Sequence, residues 1–282
     1  MVSNTDILIK NVTIVDGSGN SPYKGSICIK GEKISTIGKN ETDATEIIDA
    51  NGLVASPGFI DAHSHADMTI LWYPNCESFA MQGVTSFIGG NCGISPAPLG
   101  DIIRVPELLG NYLEQLDPHI YYPKTVHPLE KVNQWMERIF GWMLDWNSMS
   151  QYFTKVKDNG ISVNYAPLVG NGNIRLSVMG EDYKRDATSG EIDQMVDLVH
   201  QSMREGCIGL SAGFDYDPDA FASKEEIIEN VSVLKEYDGV YSPHWRRTGR
   251  RRNIKLGARP NDRVSGIKEC IQVARITKVP LQ

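Results

Sequence analysis

Gly58-Phe59-Ile60-Asp61-Ala62-His63-Ser64-His65 is a short apolar run that ends in two histidines two residues apart. In an extended strand alternate side chains share a face, so both imidazoles project to one side. If the strand belongs to a parallel barrel, that side can open at the C-terminal strand ends, where such barrels place their active sites. Two neutral imidazoles meeting there suit a divalent transition metal such as zinc. An isolated H-x-H is more often a pair of hydrogen-bonded loop histidines. Here the buried strand leading into it favours ligation.

The pattern on either side differs. Residues 5–50 read as short strands and turns: Ile7, Ile9, Val12, Ile14 and Val15 form one apolar run, broken at Asp16-Gly17-Ser18-Gly19. Ser26 to Ile29 alternates into the turn Lys30-Gly31-Glu32-Lys33, and Ile34 to Ile37 follows, which predicts a small antiparallel sheet. From Leu53 onward apolar strands alternate with helical stretches, the rhythm of a parallel α/β fold. The strands expected are 54–61, 85–89, 162–168, 208–211 and 239–242. Residues 129–146 place Val132, Trp135, Met136, Ile139, Met143 and Trp146 on one helical face. Thr188 with Glu191, and Ser223 with Glu226, read as capping boxes that open further helices. Another helix is expected from Asp262, and Val279-Pro280-Leu281-Gln282 starts a sixth strand. Residues 100–130 form a longer connection than a barrel needs.

Two later strand ends repeat the theme. Gln82 to Gly93 is a strand that delivers Cys92 into the glycine-rich turn Gly89-Gly90-Asn91-Cys92-Gly93. A thiolate there is a soft metal ligand, its pKa lowered by the cation. Gly239-Val240-Tyr241-Ser242-Pro243-His244 brings a third histidine to a strand end. Cys28, Cys76, Cys207 and Cys270 read as small apolar core residues. His119, His127 and His200 read as solvated or capping side chains.

The totals narrow the function classes. The chain has 282 residues, 41% hydrophobic and 22% charged, enough for a full-sized core. A net charge of −7 with no basic half argues against nucleic acid. No apolar run approaches the ~20 residues of a membrane span, and the start lacks the apolar core of a signal peptide. Five widely spaced cysteines without C-x-x-C fit neither a disulfide framework nor a zinc finger, so a cytoplasmic location is expected.

Over nearly its whole length the chain resembles the N-acyl-D-amino-acid deacylase (D-aminoacylase) branch of the amidohydrolase superfamily. Besides the three strand ends, the resemblance rests on Asn164-Tyr165-Ala166-Pro167-Leu168-Val169-Gly170, Arg175 with Val178-Met179-Gly180, Gly206 to Gly213, and Asp215-Tyr216-Asp217-Pro218. It implies an incomplete (β/α)₈ barrel of about five strands over residues 55–282, after residues 1–54 as the N-terminal part of a small β-sandwich. It also implies one or two zinc ions, with His63 and His65 at one position, His244 at the other and Cys92 between them. Relatives outside the branch bridge their metals with a carboxylated lysine on strand 4; Gly206 to Gly213 has no lysine, which favours Cys92 as the bridge. The branch usually has histidine where Asn171 stands and glutamate where Asp215 stands.

The activity implied is hydrolysis of an amide C–N bond in a small, carboxylate-bearing N-acyl amino acid. Arg175 and Arg246 are the substrate-binding candidates, because arginine forks match carboxylates. The basic stretch 246–252 is either an anion-binding flap or a solvated loop. The remaining barrel strands, a further metal histidine and the general-base aspartate are expected outside this chain: on a second polypeptide of a split enzyme, or in the part lost from a truncated product. The alternatives are a hydantoinase-like cyclic amide hydrolase and a non-catalytic scaffold or regulatory subunit.

Overall fold

The computed structural model describes residues 5–38, 43–105, 125–246 and 263–282. The chain divides into two compact units, Met1–Phe59 and Ile60–Gln282.

In the first unit, β1 (Thr5–Ile14), β2 (Tyr23–Lys30), β3 (Lys33–Gly38), β4 (Ala44–Asp49) and β5 (Val54–Ala55) form one sheet in the order β3-β2-β1-β4, with β5 also on β1. β2 pairs antiparallel with β1 and β3, as the turn chemistry predicts, but β4 and β5 both run parallel to β1. The sheet is therefore mixed, a correction to the antiparallel reading. β1 also has a break, where its register with β2 shifts between Ile9 and Val12 and Asn11 adopts φ 56°. One edge of β1 then serves two partners: residues 5–10 pair with β4, and Thr13 and Ile14 with β5. The turn between those partners is tied back by Ala50 N–H to Lys10 O and Gly52 N–H to Asn11 O, both 2.9 Å. Val12, Ile14 and Ala50 are buried, while Ile34, Ile37, Ile47 and Ile48 stay exposed.

The stretch 54–61, expected as one strand, is two. Ser56-Pro57-Gly58 interrupts it, since proline has no N–H to give a ladder. β6 (Phe59–Asp61) joins the second sheet. There α1 (Glu77–Ala80), β7 (Val84–Gly89), β8 (Ile102–Arg104) and β9 (Val126–Pro128) are followed by α2 (Leu129–Phe140), α3 (Met149–Asn159) and β10 (Asn164–Gly170). Then come α4 (Asn171–Met179), α5 (Ser189–Arg204), β11 (Gly209–Gly213), α6 (Lys224–Ser232), β12 (Val240–His244) and α7 (Arg263–Thr277).

The second sheet runs β12-β11-β10-β7-β6 in space, and β7, β10, β11 and β12 pair in parallel. It is a curled parallel α/β sheet whose helices bury Met195, Val199, Ile227 and Val231 against Leu210 and Tyr241. Leu281 bridges Tyr241 in parallel, so the chain begins to add a strand beyond β12. The Gln282 side chain also donates to Ala62 O (2.9 Å), beside the H-x-H segment.

α2 stops at Phe140, six residues before the periodicity ends, because Gly141 takes a left-handed cap (φ 75°). Trp146 then packs in the core and donates to Pro96 O (2.8 Å). The capping box at Thr188 and Glu191 is complete. At Ser223 only half forms: Ser223 Oγ accepts from Glu226 N–H (3.1 Å), while the Glu226 carboxylate turns inward. The long connection is flanked by the antiparallel pair β8–β9, and residues 106–124 lie outside the described residues. Among the described residues, no helix is long and apolar enough to cross a membrane.

Candidate metal centre

β6 ends at Asp61, whose carboxylate accepts from His63 N–H (3.1 Å). Ser64 N–H then donates to Ile88 O (3.0 Å), so the segment carrying His63 and His65 stays aligned with β7. Their rings meet edge to face at 5.6 Å. β7 delivers the Cys92 turn beside them. The Asn91 amide donates to Ile88 O (2.9 Å) and Ser64 O (3.3 Å), coupling that turn to the histidine segment.

The ligating atoms of His63, His65 and Cys92 all lie within 4.8 Å of one another. Cys92 Sγ is 3.5 Å from His63 Nε2 and 3.7 Å from His244 Nδ1. Around a tetrahedral zinc with bonds of about 2.0–2.3 Å, neighbouring donor atoms sit roughly 3.3–3.8 Å apart. Both cysteine contacts fall in that interval, so the residues fit such an ion. The thiolate stands between histidines from the two ends of the curled sheet. His244 turns its other nitrogen to Asp215, with Nε2 3.5 Å from Oδ2, and Tyr216 lies 4.8 Å from its ring. The Asp215 contact is at ion-pair distance rather than a hydrogen bond, and it leaves Nδ1 as the ring nitrogen facing Cys92.

Two further residues hold this arrangement and carried no motif of their own. Asp67, buried two residues after His65, accepts from Gly90 N–H (2.8 Å) through its carboxylate and from Tyr152 Oη (2.6 Å) through its carbonyl. Burial, with the Asp67 charge second, holds the Tyr152 and Tyr165 phenols well above their ordinary range. The period-two run His63-x-His65-x-Asp67 is the signal that could have found it. Asp219 is buried too, and burial raises its carboxyl to about 6. Nothing local in Pro218-Asp219-Ala220 marks it.

Both arginines expected to bind substrate make contacts with protein groups. Arg175 is fully buried: Nη1 pairs with Glu226, Nε and Nη2 donate to Tyr183 O (3.2 and 2.8 Å), and Nη2 also reaches Arg185 O. Arg246 donates to Ala220 O (2.9 Å) and Ala222 O (3.3 Å), pairs with Glu269 (3.2 Å) and stacks 4.6 Å over Phe214. Among the described residues, both guanidiniums bond chiefly to backbone carbonyls and one carboxylate each. The rest of the basic stretch, 247–252, lies outside the described residues. Asn171 is also buried, bonded to Asp219 (2.9 Å), Glu226 (3.4 Å) and Asn230 (2.9 Å).

The remaining candidates stand apart from the cluster. His127 packs on Trp135 and His200 meets Tyr237 Oη (3.0 Å), while His119 lies outside the described residues. Cys28, Cys76, Cys207 and Cys270 are buried. Burial pushes the Cys270 thiol up to about 12, and Cys207 higher still, the opposite of a reactive or ligating thiol.

Known proteins share this arrangement of chain. Residues 46–230 match the Amidohydrolase family. D-aminoacylase of Alcaligenes xylosoxydans xylosoxydans is 31% identical over 98% of this chain and 49% of its own length. A crystal structure from work on the binuclear metal centre of D-aminoacylase superposes with TM-score 0.78 at 30% identity, covering 98% of this chain and 50% of that one. N-acyl-D-glutamate deacylase from Bordetella bronchiseptica, complexed with zinc and a phosphonate mimic of the tetrahedral intermediate, gives 0.76 at 25% identity over 99% and 50%. The chain thus spans about half the length of the relatives it matches.

Proposed function

As a member of the amidohydrolase family, this chain is one that we propose carries the metal-binding half of an enzyme hydrolysing the amide C–N bond of an N-acyl amino acid. The carrying observation is the convergence of His63, His65, Cys92 and His244 from three separate strand ends, at spacings that suit one or two zinc ions. When bound, the metal supplies Lewis acidity to the scissile carbonyl and lowers the pKa of the attacking water. Cys92 contributes a thiolate shared between the two sides of the site. Asp215 lies 3.5 Å from His244 Nε2, on the side of the ring away from Cys92. Asp61 and Asn91 fix the backbone from which His63 and Cys92 project. The substrate class rests on the relatives, whose names specify D-aminoacylase and N-acyl-D-glutamate deacylase activities.

In this reading the curled sheet is the first part of a (β/α)₈ barrel, and the N-terminal sheet is part of a small β-sandwich. The exposed isoleucines of β3 and β4 support the second point, because an apolar sheet face is normally covered. The other strands and the general base would be supplied by polypeptide outside these 282 residues, whether a second subunit or more of the same chain. A cytoplasmic location is proposed on cysteine usage alone. Metal analysis tests the site: the purified protein should hold zinc, and Cys92→Ala and His244→Ala should each lose most of it. Zinc retained undiminished in both would overturn the assignment.

A further inference from the structure

Cys92 does not hold its position unaided. Its φ is 56°, a left-handed backbone that a residue with a side chain adopts only when its surroundings impose it. Gly93 beside it is gripped from three directions. Its N–H donates to Ser211 Oγ (2.9 Å), its carbonyl accepts from Gly172 N–H (3.0 Å), and its Cα lies so close to Asp219 that a Cβ would sit 2.2 Å from Oδ2. The same Oδ2 accepts from Gly213 N–H (2.7 Å), and Oδ1 accepts from the Asn171 amide (2.9 Å). Gly213 in turn lies against Cys92, where a Cβ would meet the Cys92 carbonyl oxygen at 2.0 Å. One buried carboxylate therefore ties the end of β11 to the start of α4, with the Cys92–Gly93 turn wedged between them. Asn171 is held by Asn230 and Glu226, and Glu226 by Arg175, so the wedge is braced from behind.

We propose that Asp219 is a positioning residue for the metal centre, keeping Cys92 in the left-handed conformation that aims Sγ between His63 and His244. This rests on the metal-binding reading above. A carboxylate is required because both oxygens accept: an amide offers one acceptor, and its NH₂ would face the donor of Gly213 or Asn171. Without the wedge the turn can relax to ordinary φ, swinging the thiolate out of the cluster while the histidines stay in place.

Cobalt(II) is the probe, because a cysteine thiolate bound to it gives a near-ultraviolet charge-transfer band that imidazole ligands do not. The protein as purified is stripped and titrated with cobalt alone, with a chelator in competition for affinity. Asp219→Ala should lose most of the thiolate band and bind cobalt at least tenfold more weakly, while visible bands from histidine coordination persist. Asp219→Asn should fall between it and the parent, and decides the matter if the alanine variant does not fold. Met195→Ala, a core truncation in α5, should lower stability yet keep the parent spectrum. A parent spectrum and affinity in both Asp219 variants would overturn the positioning role, as would equal loss of the band in Met195→Ala. A parent protein that takes up no cobalt would overturn the metal site along with it.

Discussion

Arg175→Met keeps most of the apolar volume of the side chain and removes the guanidinium. Arg175 and Glu226 are both fully buried, so the variant leaves a carboxylate without its charge partner and withdraws donors from the Tyr183 and Arg185 carbonyls. Burial already raises the Glu226 carboxyl against the pull of Arg175 and Asn171. Without Arg175 the burial effect is opposed only by the hydrogen bonds from Asn171 and Ser223, so the neutral form is favoured further. Neutralising at pH 7 a carboxyl of ordinary pKa 4.5 costs roughly 3 kcal/mol, at 1.36 kcal/mol per pH unit. Carbonyls left without donors add about 1 kcal/mol or more. The total, about 3–5 kcal/mol, is the usual loss when one partner of a buried pair is removed, and a large part of the ~5–15 kcal/mol that holds a domain together. Urea unfolding at pH 7 should show it as a clear fall in midpoint. At pH 5 neutralisation costs under about 1 kcal/mol, so the deficit should shrink. Adding Glu226→Gln should recover much of the loss. A deficit below about 1 kcal/mol, or one of the same size at both pH values, would refute the reasoning.

Asp219 titrates with the opposite consequence for the parent. Its folded pKa of about 6 stands above the ordinary 3.8, so the associated stability is full below 3.8 and lost as pH rises through about 6. Between pH 4 and 7 the parent should lose roughly 2 kcal/mol from this group, and urea unfolding of Asp219→Asn should lack that component. Arg246→Met should lower stability by about 2–3 kcal/mol through the Ala220 and Ala222 carbonyls and Glu269. In the assembled enzyme it should change KM for acidic and neutral amides alike; a selective rise for acidic substrates would restore the carboxylate reading. Thr188→Ala should cost about 1 kcal/mol by thermal or urea unfolding, because it removes the cap of α5. Metal uptake by the purified protein should fall in acid, since thiolate and imidazole must both be deprotonated to ligate, and uptake unchanged at pH 5 would contradict the ligand set.

The periodicity and strand-end motifs were enough to read a parallel α/β unit and to single out His63, His65, Cys92 and His244. Each signal is local: a period-two strand, a glycine turn, an apolar run closed by a histidine. The same locality explains where reading along the chain stopped. Whether β4 and β5 run parallel or antiparallel to β1 depends on how the chain crosses to the other edge of β1, and no residue in β4 or β5 encodes that. Arg175 and Arg246 carry the right chemistry for a carboxylate ligand. Their use is decided by Glu226, Glu269 and backbone carbonyls that lie far away in the chain and close in space. Asp219 shows the division most plainly: its neighbours in sequence say nothing of it, yet folding brings Gly93, Asn171 and Gly213 around one carboxylate. Residue type and spacing set which side chains can bind a metal. Only close packing of distant segments decides which polar groups are held in the interior as its framework, because a buried charge persists only where the fold supplies its partners.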